Sequence, residues 1–151
     1  MQQDFSRTLR LAASADAVFE AIRDVRRVAA WLSVVREVKD VEPPRRYTAL
    51  LEDRIGPFAM RADLTVEVRE TGPRAMRVTA SGEDRQVGSR IGATIDLAAT
   101  DAAVGSELAI AGRYEVVGRV ATLGAAAIRT KGDKILAQFA GSAEEELGAL
   151  P

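Results

Sequence analysis

"MRADLTVEV", Met60–Val68, decides the fold. Met60, Ala62, Leu64, Val66 and Val68 alternate with Arg61, Asp63, Thr65 and Glu67. A period of two is the signature of a β-strand with one buried and one wet face. Downstream the pattern repeats in "AMRVTASGE" (Ala75–Glu83), whose inward set is Met76, Val78, Ala80 and Gly82. "RIGATIDLA" (Arg90–Ala98) presents Ile91, Ala93, Ile95 and Leu97. "ELAIAGRYEV" (Glu107–Val116) presents Leu108, Ile110, Gly112, Tyr114 and Val116. Gly56–Pro57, Gly72–Pro73, Gly88 and the segment around Gly105 supply turns, and the short connections make the strands an antiparallel meander.

Upstream, "DFSRTLRLAAS" reads as a strand with Phe5, Leu9 and Leu11 on one face, ending at Ser14. Ser14 is a good N-cap for a short helix carrying Val18, Phe19 and Ile22, and Asp24 can cap a second, "VRRVAAWL". The strand "VVREVKDVE" follows and stops at Pro43–Pro44. At the other end, "VVGRVATLGAAAIRTKGDKILAQFAGSAEEEL" (Val116–Leu147) reads as one long amphipathic helix. The order strand, two short helices, about six strands and a long helix is α+β, with helices on one face of a curved antiparallel sheet. No linker or repeat interrupts it, so residues 1–151 form one domain.

That last helix offers its sheet little volume at first. Its inward face runs Ala121, Gly124, Ala125, Ile128 and Gly132 before reaching Ile135, Leu136, Phe139, Ala143 and Leu147. The strands show the same economy at Ala49, Ala62, Ala80, Gly82, Ala93 and Gly112. Interiors pack densely and voids cost free energy, so two readings stand. Either helix and sheet approach closely, or they stay apart and enclose an apolar pocket. Ala121, Gly124, Ala125 and Ile128 would form its helix wall, and the bulkier residues beyond would seal the far end. Polar anchors are few: Trp31, Tyr47, Asp53, Arg54 and Tyr114. Trp31 either caps the core after the second helix or stands at the pocket mouth. Asp53, in phase with Ala49 and Leu51, is the inward carboxylate that looks out of place.

Composition narrows the function. The chain has no Cys and no His, which removes thiolate chemistry, the commonest general base and the commonest metal ligand. No covalent or metal cofactor is expected. Net charge is −1, so no global field draws nucleic acid or an anionic membrane. The arginines between Arg23 and Arg46 are interleaved with acids, as on a solvated face. No apolar run reaches the roughly 20 residues of a membrane span, and "MQQDFSRTLRLAAS" is not a signal peptide, so a cytoplasmic protein is expected.

Four segments together resemble the carbon monoxide dehydrogenase CoxG family of the START-like, SRPBCC, helix-grip superfamily. They are "SADAVFEAIRDVRRVAAWL", "GPFAMRADLTVEV", "SGEDRQVGSRIGATIDLAA" and "YEVVGRVATLG" leading into "GDKILAQF". The resemblance implies a seven-stranded antiparallel sheet gripping a C-terminal helix around a hydrophobic cavity. It also implies service to a molybdenum-containing CO dehydrogenase or related hydroxylase, recruitment to the cytoplasmic membrane and binding of a respiratory quinone or lipid. Met60, Leu64, Ala80, Ala93, Gly112, Gly124, Ala125 and Ile128 would line that site. The chain ends at Leu150–Pro151 without the extension some relatives carry, so membrane contact is expected to be peripheral. Two other functions stay open: an enzyme on a hydrophobic substrate, resting on Asp53, Tyr47, Tyr114 or an arginine, and a scaffold whose cavity is vestigial.

Overall fold

A computed structural model describes residues 1–151. The elements run β1 (Gln2–Leu11), α1 (Ala15–Arg23), α2 (Val25–Ala30), β2 (Val35–Glu42), β3 (Arg46–Ile55), β4 (Phe58–Gly72), β5 (Ala75–Asp84), β6 (Ser89–Asp101), β7 (Ser106–Gly118), a 3-10 turn (Arg119–Leu123) and α3 (Ala125–Leu147). All seven strands form one sheet in the order β1-β7-β6-β5-β4-β3-β2, every neighbour antiparallel. Only the β1–β7 pairing joins strands distant in sequence. The rest is the meander that turn chemistry dictates.

The alternation of Met60–Val68 survives in the fold. Met60, Ala62 and Leu64 are buried, while Arg61, Asp63, Thr65 and Glu67 are exposed. The short helices start where their caps do. Ser14 Oγ accepts from the Ala17 amide at 3.1 Å, and an Asp24 carboxylate oxygen accepts from the Arg27 amide at 3.2 Å. The second helix ends at Ala30, short of the Leu32 that its apolar spacing includes, because Trp31 caps it.

The C-terminal stretch is not one helix. Val116–Gly118 complete β7, and a short 3-10 turn precedes α3. Gly118 and Gly124 adopt φ of +93° and +92° and break the chain on either side of that turn. Such angles suit glycine and stop a right-handed helix. The helical wheel holds from Ile128 onward, where Ile128, Phe139 and Ala143 are buried, but fails at the break: Ala125 is exposed in the first turn of α3 rather than part of an inner wall. Gly124 is the residue preceding the helix, and Ala121 belongs to the 3-10 turn.

Two separate apolar clusters fill the concave side. The larger joins α1, Trp31 and Phe139 to Leu9, Leu11, Leu97, Leu108 and Ile110. The smaller joins Met60, Val116, Val120 and Ile128 near the 3-10 turn. No helix is long and apolar enough to cross a membrane.

Candidate functional site

The sheet register places six residues in one row across the concave face: Tyr47, Val66, Ala80, Ala93, Tyr114 and Gln3, on β3, β4, β5, β6, β7 and β1. Val66, Ala80 and Ala93 at its middle are only partly buried, although they face the helix side. Val78 and Ile95, a row nearer the large cluster, and Ile91, a row nearer the small one, are partly buried too. These partly buried apolar residues form a floor between the two clusters. In its backbone, α3 comes closest to β1 and the 3-10 turn and stands further from the central strands.

The sequence-derived site residues divide accordingly. Val78, Ala80, Ile91, Ala93, Ile95 and Tyr114 surround the accessible floor. Met76 and Ile110 are spent in the large cluster, and Met60 and Ile128 in the small one. Ala62 and Leu64 are buried at 1% and 8% exposure, beside the floor but closed to it. Trp31 does not stand at an opening. Its ring packs edge-on against Phe139, with centroids 5.4 Å apart, and its indole N–H donates to a Glu146 carboxylate oxygen. Arg27 Nε donates to the other Glu146 oxygen at 2.8 Å, which ties α2 to the end of α3. This end of the grip is sealed.

Two glycines that read as missing volume are occupied by aromatic rings. A Cβ on Gly112 would come within 2.9 Å of the Phe5 ring and 2.3 Å of the Thr94 carbonyl oxygen. A Cβ on Gly132 would come within 2.6 Å of the Tyr114 hydroxyl. Close approach explains both positions, so Gly112 does not line a pocket. Ala80 and Ala93 are the small residues that leave space.

Polar groups meet at the edges of this floor. Gln3, only 6% exposed, donates from Nε2 to the Ala125 carbonyl at 2.9 Å. The Tyr114 hydroxyl has only long contacts, 3.5 Å to Gln3 Oε1 and 3.4 Å to the Ile128 carbonyl. Sequence reading missed Gln3, because its strand shows polar residues on both sides of it. Asp53 pairs with no arginine. Lys131 Nζ on α3 lies 2.9 Å from its Oδ2, and the Arg54 amide donates to its Oδ1 at 2.8 Å. Oδ2 is buried and has no aligned hydrogen bond besides that ionic contact. Burial, then the Asp133 charge, raises the Tyr114 phenol; burial, then Asp40, raises Tyr47. Both are protonated donors at neutral pH. No cluster of acids suited to a metal ion occurs.

A separate open hollow of about 290 Å³ lies over Gly92. Gln2, Thr79, Ser81, Thr94, Arg113 and Glu115 line it and alternate with the inward set, so it opens on the sheet's outer face, where Ala80, Ala93 and Tyr114 also border it.

A seven-stranded antiparallel sheet bent around a C-terminal helix, with two short helices after the first strand, is a START-like helix-grip fold. The family model for CoxG of carbon monoxide dehydrogenase matches residues 8–148, and the chain belongs to that family. A conserved protein from Geobacillus kaustophilus has a similar structure, with a TM-score of 0.81 at 17% identity, covering 97% of this chain and 95% of that one. A START superfamily protein from Mycobacterium smegmatis is similar at TM-score 0.70 and 13% identity, covering 95% and 96%. Norcoclaurine synthase from Thalictrum flavum is similar at TM-score 0.64 and 12% identity, covering 96% and 86%. At such identities the likeness establishes the fold. No curated protein sequence matches.

Proposed function

We propose that this domain binds a hydrophobic small molecule, a respiratory quinone or a lipid, between α3 and the concave face of its sheet. It acts without catalysis, as a carrier or recruitment accessory of a CO dehydrogenase-like molybdenum hydroxylase at the cytoplasmic membrane surface. The observation that supports this most is the split core. Val66, Ala80 and Ala93 face the helix side and are only partly buried between two closed clusters. Apolar surface left open in a concave site gains roughly 25 cal/mol per Å² when a ligand covers it. Membership of the CoxG family supports the partner class. The enzyme reading loses its free carboxylate, because Asp53 is held by Lys131.

Native mass spectrometry and solvent extraction of the purified protein test this reading. The expected result is a co-purifying prenylquinone or lipid, and binding of added menaquinone by ligand-stripped protein. Ligand-free masses from several preparations, with no binding of menaquinone or ubiquinone, would overturn it.

A further inference from the structure

The sheet ends differently at its two outer strands. Beside β1 lie the C-terminal residues, with the Leu150 amide donating to the Arg10 carbonyl at 3.1 Å. Beyond β2 there is no further strand, and such an edge is a ready template for pairing. Arg26 of α2 reaches it: the guanidinium donates to the Val38 carbonyl at 3.1 Å and to an Asp40 carboxylate oxygen at 2.7 Å. A side chain thus stands where a neighbouring strand would donate. Alongside, α2 has no fully buried residue, and a hollow of about 190 Å³ between it and β2 is lined by Ala29, Ala30, Val35 and Val38.

We infer that β2 is the contact edge of a two-fold dimer, in which a second copy of this chain adds its own β2 antiparallel and continues the sheet. The strand is complementary to itself about Val38. With the axis there, each Glu37 stands opposite Lys39 of the other copy, and Val38 stands beside Val38. All three lie in the regular stretch of β2, between its two register shifts. Glu37 and Lys39 share the outer face, in register with Asp63 and Thr65 through β3, while Val38 lines up with Ala49 and Leu64 on the helix side. The two hollows then meet as one apolar strip between the α2 helices. Moving the axis by one residue, to Glu37 or Lys39, sets that charge against its own copy, so charge selects the register. Within one chain Glu37 and Lys39 are 3.9 Å apart and both more than half exposed, a pairing weak enough to exchange. The Arg26 side chain is 57% exposed and can yield the Val38 carbonyl to a strand amide. Such a contact is isologous and closes at two copies. It is independent of the binding reading above.

Sedimentation velocity of the full chain from about 10 to about 500 µM tests this. The wild type is expected to move from monomer towards dimer as concentration rises. Lys39→Glu and Glu37→Lys each set like charges opposite one another twice per dimer, and each should weaken association by roughly tenfold or more. Both positions are exposed, so the variants keep the fold, which circular dichroism checks. Mixed in equal amounts, the two variants should associate as the wild type does, because every Glu again meets a Lys. The double variant Glu37→Lys/Lys39→Glu should regain self-association for the same reason. A wild type that stays monomeric at the highest concentration overturns the inference and leaves the edge to Arg26. A dimer that the single variants leave intact overturns it too and places the contact on another surface. So does a pair of variants that stay apart when mixed. None of these results bears on the cavity reading, which the extraction experiment decides.

Discussion

Lys131 Nζ of α3 stands 2.9 Å from Asp53 Oδ2 of β3, and with side chains 28% and 18% exposed this pair fastens the first half of the helix across the open side of the sheet. Gln3 does the same from β1, by its bond to the Ala125 carbonyl. The helix is thus held from the edge strand β1 and from β3, across the partly buried apolar residues between them.

Breaking the Asp53–Lys131 pair from one side leaves a mostly buried charge without a partner. Lys131→Met should lower stability in urea by about 1–2 kcal/mol, and Asp53→Asn by a similar amount. The double variant should lose less than the two singles together, with a coupling of about 1 kcal/mol. Strict additivity would show that the contact carries no weight.

Gly132 tests the packing of the helix against Tyr114. In an unobstructed helix, alanine for glycine gains about 1 kcal/mol. Here the new methyl would sit 2.6 Å from the Tyr114 hydroxyl and 3.0 Å from the carbon that bears it. The ring cannot swing freely, because Phe5 lies behind it with centroids 6.1 Å apart. Gly132→Ala should therefore destabilise by about 1–2 kcal/mol. In a Tyr114→Leu background the same change should become neutral or stabilising. An unchanged penalty in that background would mean that Tyr114 is not the obstacle.

Much of this was legible in the sequence. The alternation at Met60–Val68 and its repeats fixed strand faces, and Ser14 and Asp24 marked their helices, because caps and period-two patterns are local. The helix start was not legible, since Gly118 and Gly124 look like small helical residues until their positive φ is known. Gly112 and Gly132 were ambiguous for another reason. A glycine that admits Phe5 or Tyr114 and one that lines a void are the same letter, and only the cross-strand partner tells them apart. The pairing of Asp53 with Lys131 joins residues 78 positions apart and has no local signature.

Acid should weaken the sheet end near Gly88 through Asp84. Burial opposes ionisation of this carboxyl, but the amides of Arg61, Val87 and Gln86 all donate to it and hold it below its ordinary value of 3.8. The unfolded chain therefore takes up the proton first as pH falls. The stabilisation is complete above about pH 5 and fades as pH drops through the folded-state value. Asp84→Asn keeps the shape without the charge and should cost about 1–2 kcal/mol at pH 7. Between pH 5 and pH 2 it should lose less stability than wild type, measured by urea unfolding at each pH. Parallel losses in the two proteins would assign the acid sensitivity elsewhere.

Filling the floor separates a binding domain from a scaffold. Ala80 and Ala93 pair directly on neighbouring strands and are both partly buried, so side chains added there enter the accessible space rather than a packed cluster. Gly124 is unsuited to the same test, because at φ +92° any side chain strains the backbone. Ala80→Leu and Ala93→Leu should each cost less than about 1 kcal/mol of stability, since neither overfills a closed core. Each should weaken binding of a naphthoquinone probe by roughly tenfold or more, because the methylenes take the volume the ring needs. Ala62→Leu is the control. Ala62 is 1% exposed, so the larger residue should lower stability by about 1–3 kcal/mol through overpacking and leave the accessible floor as it was. Variants at Ala80 and Ala93 that stay folded and bind the probe unchanged would place the ligand elsewhere, and would favour a domain that works through its outer surface.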